Sequence, residues 1–359
     1  MKIAEKLIVG NDFSILSKIR SDNNPILLWG MGDVAGIIIK YLRREGIDIY
    51  GIVLNEITES TWNGLPVYKF GDSNLPDSYS VVVGHSHYEY ENVLKKCDCR
   101  IAEIYLLFEI GAYETSTWNR KWILDNINLF EEICDLLADE LSQNTLVALI
   151  NSAINDNPRY LFEYVINGQN FFDNSVWKIG KNESYIDIGA YKGDTILDFI
   201  RECDNEFSWI CAFEPDQKNY DDIIKIPEIQ SDKRIQILKL GTWNSFGMLA
   251  FDSEGNQESR INEKGNCMIQ VVSLDDYLPQ CSPSIIKINI GPGKLETIDG
   301  AKKIIQKNKP KLVINIGYSS SAMEVLDVIK NIKIINPSYR VFLRLHSALV
   351  NRLVMYAIE

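Results

Sequence analysis

Two units of strand, glycine-rich turn, helix and strand limit how this chain can fold more than any other feature of its sequence. The clearer unit is residues 184–220, SYIDIGAYKGDTILDFIRECDNEFSWICAFEPDQKNY. An apolar strand there ends in Asp187, a bend follows at Gly189 and Gly193, a helix opens, and a second apolar strand ends in Glu214. Units of this kind build a mainly parallel sheet covered by helices, so the pattern predicts an α/β fold.

The polar residues of this unit stand at the strand tips, where open α/β sheets bind their ligands. Gly189 and Gly193 let the backbone approach a ligand closely. Asp187 can meet a cationic or amine group, and Glu214 can accept hydrogen bonds from both hydroxyls of a ribose. The spacing therefore favours a ligand that contains a nucleoside.

The earlier unit reads PILLWGMGDVAGIIIKYLRREGIDIYGIVLNE and contains a GxGxxA fingerprint at Gly30, Gly32 and Ala35. The glycines allow a tight turn, and the helix N-terminus behind them can accept a pyrophosphate. In a dinucleotide enzyme the second strand ends in an acid that holds the ribose, but this strand ends at Asn55. The match to a second nucleotide site is partial, and an NAD-dependent oxidoreductase is one alternative function.

The net charge of −12 argues against nucleic acid and anionic membranes as partners, because such binding draws on clustered Lys and Arg. No run of about 18 apolar residues is long enough to span a membrane, and the opening MKIAEKLIVGNDF has no signal-peptide pattern. We expect a soluble, cytoplasmic protein.

No metal site is expected. The seven cysteines are scattered without CxxC spacing, which is typical of reduced thiols. His85 and His87 follow an apolar strand, but the sequence places no acid or cysteine with them. They are interpreted as a polar rim of the first sheet.

Residues 184–220 resemble the class I S-adenosylmethionine-dependent methyltransferases, and the text DIGAYKGDT followed by AFEPD is similar to the FkbM family in particular. Four further stretches, LKLGTWNSFGMLAF, ESRINEKG, VVSLDDYL and IIKIN, come in that family's order. The resemblance covers about residues 180–359. A dinucleotide-type N-terminal unit fused to such a methyltransferase is also familiar in the family.

The resemblance implies a Rossmann-like sheet of seven strands, mostly parallel with the last strand antiparallel, after a smaller Rossmann-like α/β domain and a helical linker. The implied domains are residues 1–110, 111–170 and 171–359. Strands are expected at 185–190, 209–214, 235–240, 285–290 and 311–316, with a closing hairpin in YRVFLRLHS and NRLVMYAI. Residues 247–272 are expected to form an inserted hairpin near the substrate opening.

The same resemblance implies S-adenosylmethionine as the cofactor. The residues assigned to it are Asp187, Gly189, Gly193, Glu214, Asp216, Asp275 and Asn289. Asp216 is placed near the adenosine. Two roles stay open for Asp275, which can face the cofactor or cap the next helix.

The chain departs from the family at the turn after the fourth strand, where the family's pattern is IKIDVEGAE and this chain reads IKINIGPGK. Asn289, Gly291 and Lys294 stand where the family has acids. Lys294 is interpreted either as a solvated side chain in the first turn of a helix or as a group that favours an anionic acceptor.

Methyl transfer is an in-line displacement from an activated sulfonium, so a base is needed only if the acceptor must lose a proton. The candidate catalytic residues are His346, Tyr318, Asp275 and Lys294. The predicted function is methyl transfer to a small-molecule, sugar or lipid acceptor without the family's usual acids. The alternative is a cofactor-binding or scaffold protein whose catalysis has lapsed. A homo-oligomer is open in either case.

Overall fold

The computed structural model describes residues 2–10, 13–84, 94, 97–112, 116–166, 171–253, 259–317, 321–347 and 352–359. Within these residues the strands form sheets of six, seven and four strands. No helix in these ranges is both long enough and apolar enough to cross a membrane.

The elements are numbered in chain order. The strands are β1 (Ile26–Trp29), β2 (Gly51–Leu54), β3 (Thr61–Trp62), β4 (Leu65–Lys69), β5 (Tyr79–Val83), β6 (Ile101–Tyr105), β7 (Glu183–Ile188), β8 (Phe207–Phe213), β9 (Ile235–Leu238), β10 (Gly241–Thr242), β11 (Gly247–Asp252), β12 (Arg260–Ile261), β13 (Cys267–Val272), β14 (Ile285–Ile288), β15 (Lys311–Asn315), β16 (Arg340–Leu345) and β17 (Leu353–Ile358). The helices are α1 (Ile15–Ser21), α2 (Asp33–Arg44), α3 (Glu109–Ala112), α4 (Arg120–Asp125), α5 (Ile127–Leu136), α6 (Glu140–Asn155), α7 (Asp194–Glu202), α8 (Gln217–Ile223), α9 (Pro227–Gln230), α10 (Leu274–Tyr277), α11 (Lys294–Asp299), α12 (Lys302–Asn308) and α13 (Ala322–Ile335). Two 3-10 helices lie at Ile3–Lys6 and Pro158–Tyr164.

The six-stranded sheet contains the unit with the GxGxxA fingerprint, which is called the first unit below. Its order is β3-β4-β2-β1-β5-β6, and β3 runs antiparallel to β4 while the other neighbours are parallel. Helix α2 ends where Gly46 takes a left-handed conformation with φ +71°. The N–H groups of Gly46 and Ile47 then close the helix by donating to Arg43 and Leu42 carbonyls. The strand order reverses between β1 and β5, which is the point where open α/β sheets bind ligands.

The seven-stranded sheet confirms the predicted α/β architecture. Its order is β16-β17-β15-β14-β7-β8-β9, with β17 antiparallel to both neighbours and the other pairs parallel. Strands β7 and β14 are buried along their whole length, as expected for strands with helices on both faces. The carboxyl ends of the parallel strands meet at one edge. In residues 184–220, Asp187 is the last residue but one of β7, and the other assigned residues follow the ends of β7 and β8.

The expected insertion forms part of a separate four-stranded sheet, made by residues 241–272 and called the small sheet below. It has the order β10-β13-β11-β12, in which β11 is antiparallel to both β12 and β13. One face carries the apolar cluster of Phe251, Ile269 and Val271, against which Trp243 and Ile261 pack. The opposite face carries Met248 and Met268, which are exposed.

The segment predicted to be a helical linker is attached to the outer edge of the seven-stranded sheet at β16. The N–H of Ala138 donates to the carbonyl of Val341, and the N–H of Ile166 donates to that of Leu345. Helix α6 begins at a cap in which the Asp139 side chain accepts from the N–H of Ser142. The linker therefore continues the sheet's hydrogen bonding beyond its edge strand.

A half-buried acid directly after α6 contacts helix α2 of the six-stranded sheet. Asp156 takes a left-handed conformation with φ +51°, and its carboxylate accepts a 2.6 Å hydrogen bond from the Tyr41 hydroxyl of α2. Burial raises the pKa of Asp156 to about 6, and the charge of Glu45 adds to the effect. A carboxyl whose pKa is higher when folded stabilises the protein below its unfolded pKa and loses that contribution as the pH rises through about 6.

Asp156→Asn is therefore expected to stabilise the protein at pH 8 by about 1 to 3 kcal/mol and to have little effect at pH 4. The amide keeps the hydrogen bond from Tyr41, carries no charge to bury, and suits a left-handed backbone. Urea unfolding at the two pH values measures the difference. An equal effect at both would show that the ionised form of Asp156 carries no penalty in the folded protein.

Candidate functional site

The glycine turn after β7 is shaped by steric limits. Gly189 has φ +74°, and a Cβ added there would lie 2.2 Å from the carbonyl oxygen of Asn289. Gly193 has φ +77° and directly precedes α7. Tyr191 between them has φ +51°, which is uncommon for a residue with a side chain. The backbone of the turn therefore lies against the end of β14, and the space beside Gly189 cannot hold a side chain.

Asp187 is held by a lysine of the chain itself. Asp187 and Lys287 are register partners on β7 and β14. The Lys287 ammonium donates to Asp187 Oδ1 at 2.7 Å and to the carbonyl of Gly189 at 2.9 Å, while Thr195 Oγ1 donates to Asp187 Oδ2 at 2.6 Å. The two charged side chains are 0% and 1% exposed. The cationic group expected beside Asp187 is thus supplied internally, which corrects the expectation of a ligand amine there.

Glu214 lies at the tip of β8, next to the glycine turn. Its Oε2 accepts from the N–H of Tyr191 at 2.8 Å, and its Oε1 accepts from the N–H of Asp216 at 2.9 Å. Burial raises the pKa of Glu214 to about 7, although these two backbone donors oppose the rise. Each carboxylate oxygen can accept a further hydrogen bond, so Glu214 can still receive a hydroxyl.

Asp216 is buried and connects the small sheet to the strand tips. Its Oδ1 caps α8 by accepting from the N–H groups of Lys218 and Asn219. Its Oδ2 accepts from the hydroxyls of Ser253 and Ser259 at 2.7 Å and 3.0 Å. The oxygen assigned to the neighbourhood of the adenosine is therefore engaged by the inserted sheet.

Two amides follow β14 and end β15. The N–H of Gly317 donates to Asn315 Oδ1 at 3.0 Å, and Asn315 Nδ2 donates to Asn289 Oδ1 at 3.0 Å. Asn315 is 1% exposed, whereas Asn289 is half-buried. These bonds fix Asn289 at the edge of the sheet beside the glycine turn.

Lys294 is not the solvated side chain that was one of its two interpretations. It is 2% exposed, and its ammonium donates to the carbonyl of Gly291 at 2.9 Å and lies 3.6 Å from the Glu324 carboxylate. Burial lowers the pKa of Lys294, and Glu324 opposes the shift. The lysine turns inward because α13, which carries Glu324, packs behind the turn.

The small sheet covers the turn that lacks acids. Gly293 has φ +102°, and a Cβ there would lie 2.5 Å from the ring of Trp243 and 3.5 Å from Ile261. A Cβ at Gly291 would lie 3.6 Å from that of Arg260. The turn therefore needs glycine at residue 293, because an aromatic ring occupies the space that a side chain would fill.

Asp275 caps a helix. Its two carboxylate oxygens accept from the N–H groups of Lys303 and Ile304 in the first turn of α12, at 2.8 Å and 2.9 Å. The hydrogen bonds support the capping interpretation of the two that the sequence left open.

His346 directly follows β16 and lies in a buried polar cluster. Its Nε2 lies 2.9 Å from the Tyr356 hydroxyl and 4.0 Å from the Asp173 carboxylate. Burial lowers the pKa of His346, although the charge of Asp173 opposes the shift. Three strand spacings separate β16 from β14, or about 14 Å. Tyr318, another candidate, lies outside the described residues.

The residues of the partial fingerprint lie together at the switch point of the six-stranded sheet. Gly30 has φ +129°, Gly32 precedes α2, and Ala35 packs so closely that a Cβ at Gly84 would lie 3.0 Å from its own. Asn55 follows β2 and is exposed. His85 and His87 lie outside the described residues, and the described residues contain no cluster of three or more metal-binding side chains.

Lys287 is the main site residue that the sequence reasoning missed. A signal for it exists, because IIKI is a buried strand interrupted by one lysine, and a buried lysine needs a partner. Ser253 and Ser259, which donate to Asp216, left no such signal in the sequence. Their role depends on how the inserted sheet packs against the tip of β8.

A family model matches part of the chain. Residues 187–336 match the methyltransferase FkbM domain. The matched stretch begins at Asp187 and contains the glycine turn, Glu214, the small sheet and the turn after β14. It covers less than half of the chain. No curated protein is significantly similar to this sequence.

Two solved structures match this chain over different lengths, and one of them is similar in fold. Methyltransferase FkbM from Methylobacillus flagellatus KT superposes with a TM-score of 0.75 at 20% identity, covering 98% of this chain and 94% of that one. The similarity at this identity shows the fold, and it extends over the six-stranded sheet as well as the seven-stranded one. The SAH-bound methyltransferase PaMTH1 from Podospora anserina gives a TM-score of 0.31 at 11% identity, covering 49% of this chain and 71% of that one.

Proposed function

We propose that this protein transfers a methyl group from S-adenosylmethionine to a small-molecule, sugar or lipid acceptor. The observation that carries the proposal is the pairing of a glycine turn after β7 with a buried acid, Glu214, at the tip of the adjacent strand β8. A nucleoside can lie across two such tips with its ribose on the acid and its chain along the turn.

The glycine turn after β7 and the tip of β8 together form the proposed cofactor site, called the cradle below. Each part of the cradle has a separate role. Gly189 and Gly193 bring the backbone close to the cofactor, and Glu214 receives the ribose hydroxyls. Asn289 contacts the cofactor or acceptor from β14. Asp187 holds the turn through Lys287, and Asp216 holds the small sheet above the nucleoside.

We also propose the division into a domain of residues 1–110, a linker of residues 111–170 and a methyltransferase domain of residues 171–359. The strand order of the six-stranded sheet supports a second nucleotide site at Gly30, Gly32, Ala35 and Asn55. Protection of the protein against heat by NADH would test that site separately from S-adenosylmethionine.

Titration calorimetry with S-adenosylmethionine and with S-adenosylhomocysteine is the first test. Micromolar binding of either is expected, and it would establish a working cofactor site. Absence of binding by folded protein would refute the proposal. Binding without transfer to any acceptor would leave the second candidate, a cofactor-binding protein in which the small sheet over Gly293 has closed the acceptor site.

Glu214→Ala is expected to weaken S-adenosylmethionine binding by about 1.5 to 3 kcal/mol, because charge-assisted bonds to the ribose are lost. Since the pKa of Glu214 is about 7, the wild-type affinity should also fall as the pH drops through that value. Glu214→Gln is the matched control and should bind weakly at every pH. An affinity unchanged by Glu214→Ala would exclude the ribose contact.

A further inference from the structure

The hydrogen bonds around Asn289 leave the nitrogen of its side chain as a donor. The Gly317 N–H can only donate, so the atom of Asn315 that it contacts is the oxygen, Oδ1. The Nδ2 of Asn315 must then donate to the oxygen of Asn289. Within the described ranges no atom accepts from Asn289 Nδ2, so this donor is left for a ligand at the edge of the sheet.

Of the other two positions that lack acids, residue 294 carries a buried positive charge paired with Glu324, and residue 291 lies beside Arg260. The buried Lys294 ammonium donates to the carbonyl of Gly291 from beneath the turn, and the nearest carboxylate, that of Glu324, lies at 3.6 Å. Arg260 lies beside Gly291 on β12, and no described residue forms an ion pair with it. Asp187, the nearest acid on β7, is already neutralised by Lys287.

The described candidates for a catalytic base are all used elsewhere. Both oxygens of Asp275 cap α12. His346 is enclosed three strand spacings from β14, or about 14 Å away, which is far beyond the reach of a proton transfer at Asn289. Lys294 is a donor to a backbone carbonyl. None of these three candidates is placed to take a proton from a hydroxyl acceptor at Asn289, and the buried carboxylate of Glu214 is assigned to the ribose.

We propose that the acceptor is a carboxylate, whose reacting oxygen is already anionic, held by the Asn289 amide on the turn of Gly291 and Lys294. This inference rests on the proposed methyl transfer. The carboxylate oxygen attacks the methyl carbon, the carbon–sulfur bond breaks, and the sulfur keeps the electron pair. The products are a methyl ester and S-adenosylhomocysteine, and no proton has to leave.

The experiment uses the full chain with S-adenosylmethionine labelled in its methyl group. The probes are the acidic and the neutral pools of a small-molecule extract of the source cells, separated on an anion exchanger. Label is expected in base-labile esters formed from the acidic pool. Label in products of the neutral pool alone would overturn the carboxylate assignment while leaving methyl transfer intact.

Variants at the amide pair test the role of the donor. Asn289→Asp keeps the oxygen that accepts from Asn315 but replaces the free donor with a negative acceptor, and we expect transfer to fall about 10- to 100-fold. Asn315→Asp keeps the bond from Gly317 but cannot donate to Asn289, so it should lower transfer as well. Asn157→Asp is the matched control, because it adds the same charge and keeps the bond accepted from the N–H of Arg159.

Cofactor binding separates the possible failures. The wild type and the variants are titrated with S-adenosylhomocysteine, and similar affinities show that the cradle is intact. If the wild type does not bind, the proposed function fails. If it binds but labels neither pool, both the transfer and its acceptor are refuted. If Asn289→Asp and Asn315→Asp transfer as fast as Asn157→Asp, the donor role of Asn289 is wrong.

Discussion

Replacing Lys287 with methionine is expected to lower the free energy of unfolding by about 3 to 5 kcal/mol. The substitution preserves most of the side-chain volume but leaves the carboxylate of Asp187 without its cation. Asp187 is 0% exposed, so water cannot replace the lost partner. Thr195 and the carbonyl of Gly189 lose contacts to the same ammonium. Urea unfolding followed by circular dichroism measures the change.

A second substitution separates the loss of the ion pair from the loss of packing. Asp187→Asn together with Lys287→Met removes both charges, and this double variant should be more stable than Lys287→Met alone. Lys181→Met is the matched control, because Lys181 forms an exposed ion pair with Glu206. It should leave stability nearly unchanged, since exposed pairs contribute little.

The cofactor affinity of these variants shows what the ion pair does for the site. Because Lys287 holds the carbonyl of Gly189, the double variant should regain stability but still bind S-adenosylhomocysteine more weakly than the wild type. If Lys287→Met unfolds at the same urea concentration as Lys181→Met, the pair does not hold the turn.

The order of elements could be predicted from the sequence because it depends on local patterns. Buried apolar strands such as IIKI and helices that open at glycine turns are visible residue by residue. Two predicted strand ends were wrong, because β14 stops at Ile288 and β9 at Leu238, each two residues before the predicted end. The residues beyond the ladders bend away to form the site.

The composition of the glycine turn was predictable, but the partners of its charged residues were not. Asp187 and Lys287 are one hundred residues apart, and their contact follows from the register of β7 and β14. The burial of Lys294 depends on α13, which comes later in the chain and packs behind the turn. Long-range pairing of this kind leaves no periodic signal in a single sequence.

The inserted sheet explains one glycine of the turn after β14, Gly293. The sequence showed that acids were missing there but not what had taken their place. Trp243 and Ile261 cover Gly293, and Arg260 lies beside Gly291. Gly293 makes room for the ring of Trp243, whereas a Cβ at Gly291 would make an ordinary contact with Arg260.

Gly189→Ala is expected to be the most damaging single change to the proposed cofactor site. The added methyl group would lie 2.2 Å from the carbonyl oxygen of Asn289, and the backbone at φ +74° disfavours any side chain. Strain of the left-handed backbone and overpacking together cost about 2 to 5 kcal/mol. The turn must separate from β14 to relieve the contact, so S-adenosylhomocysteine binding should be lost.

Substitutions at two glycines of the first unit separate the cost of backbone strain from the cost of the steric collision. Gly46→Ala introduces a side chain at φ +71° with no atom within 4 Å, so it carries the backbone strain without the collision. Gly32→Ala adds a methyl group in open space at φ −151°, where any residue is tolerated. The expected order of damage to stability is Gly189→Ala, then Gly46→Ala, then Gly32→Ala. If Gly189→Ala costs no more than Gly46→Ala and still binds the cofactor, the contact with Asn289 does not shape the turn, and the role proposed for Gly189 in the cradle is wrong.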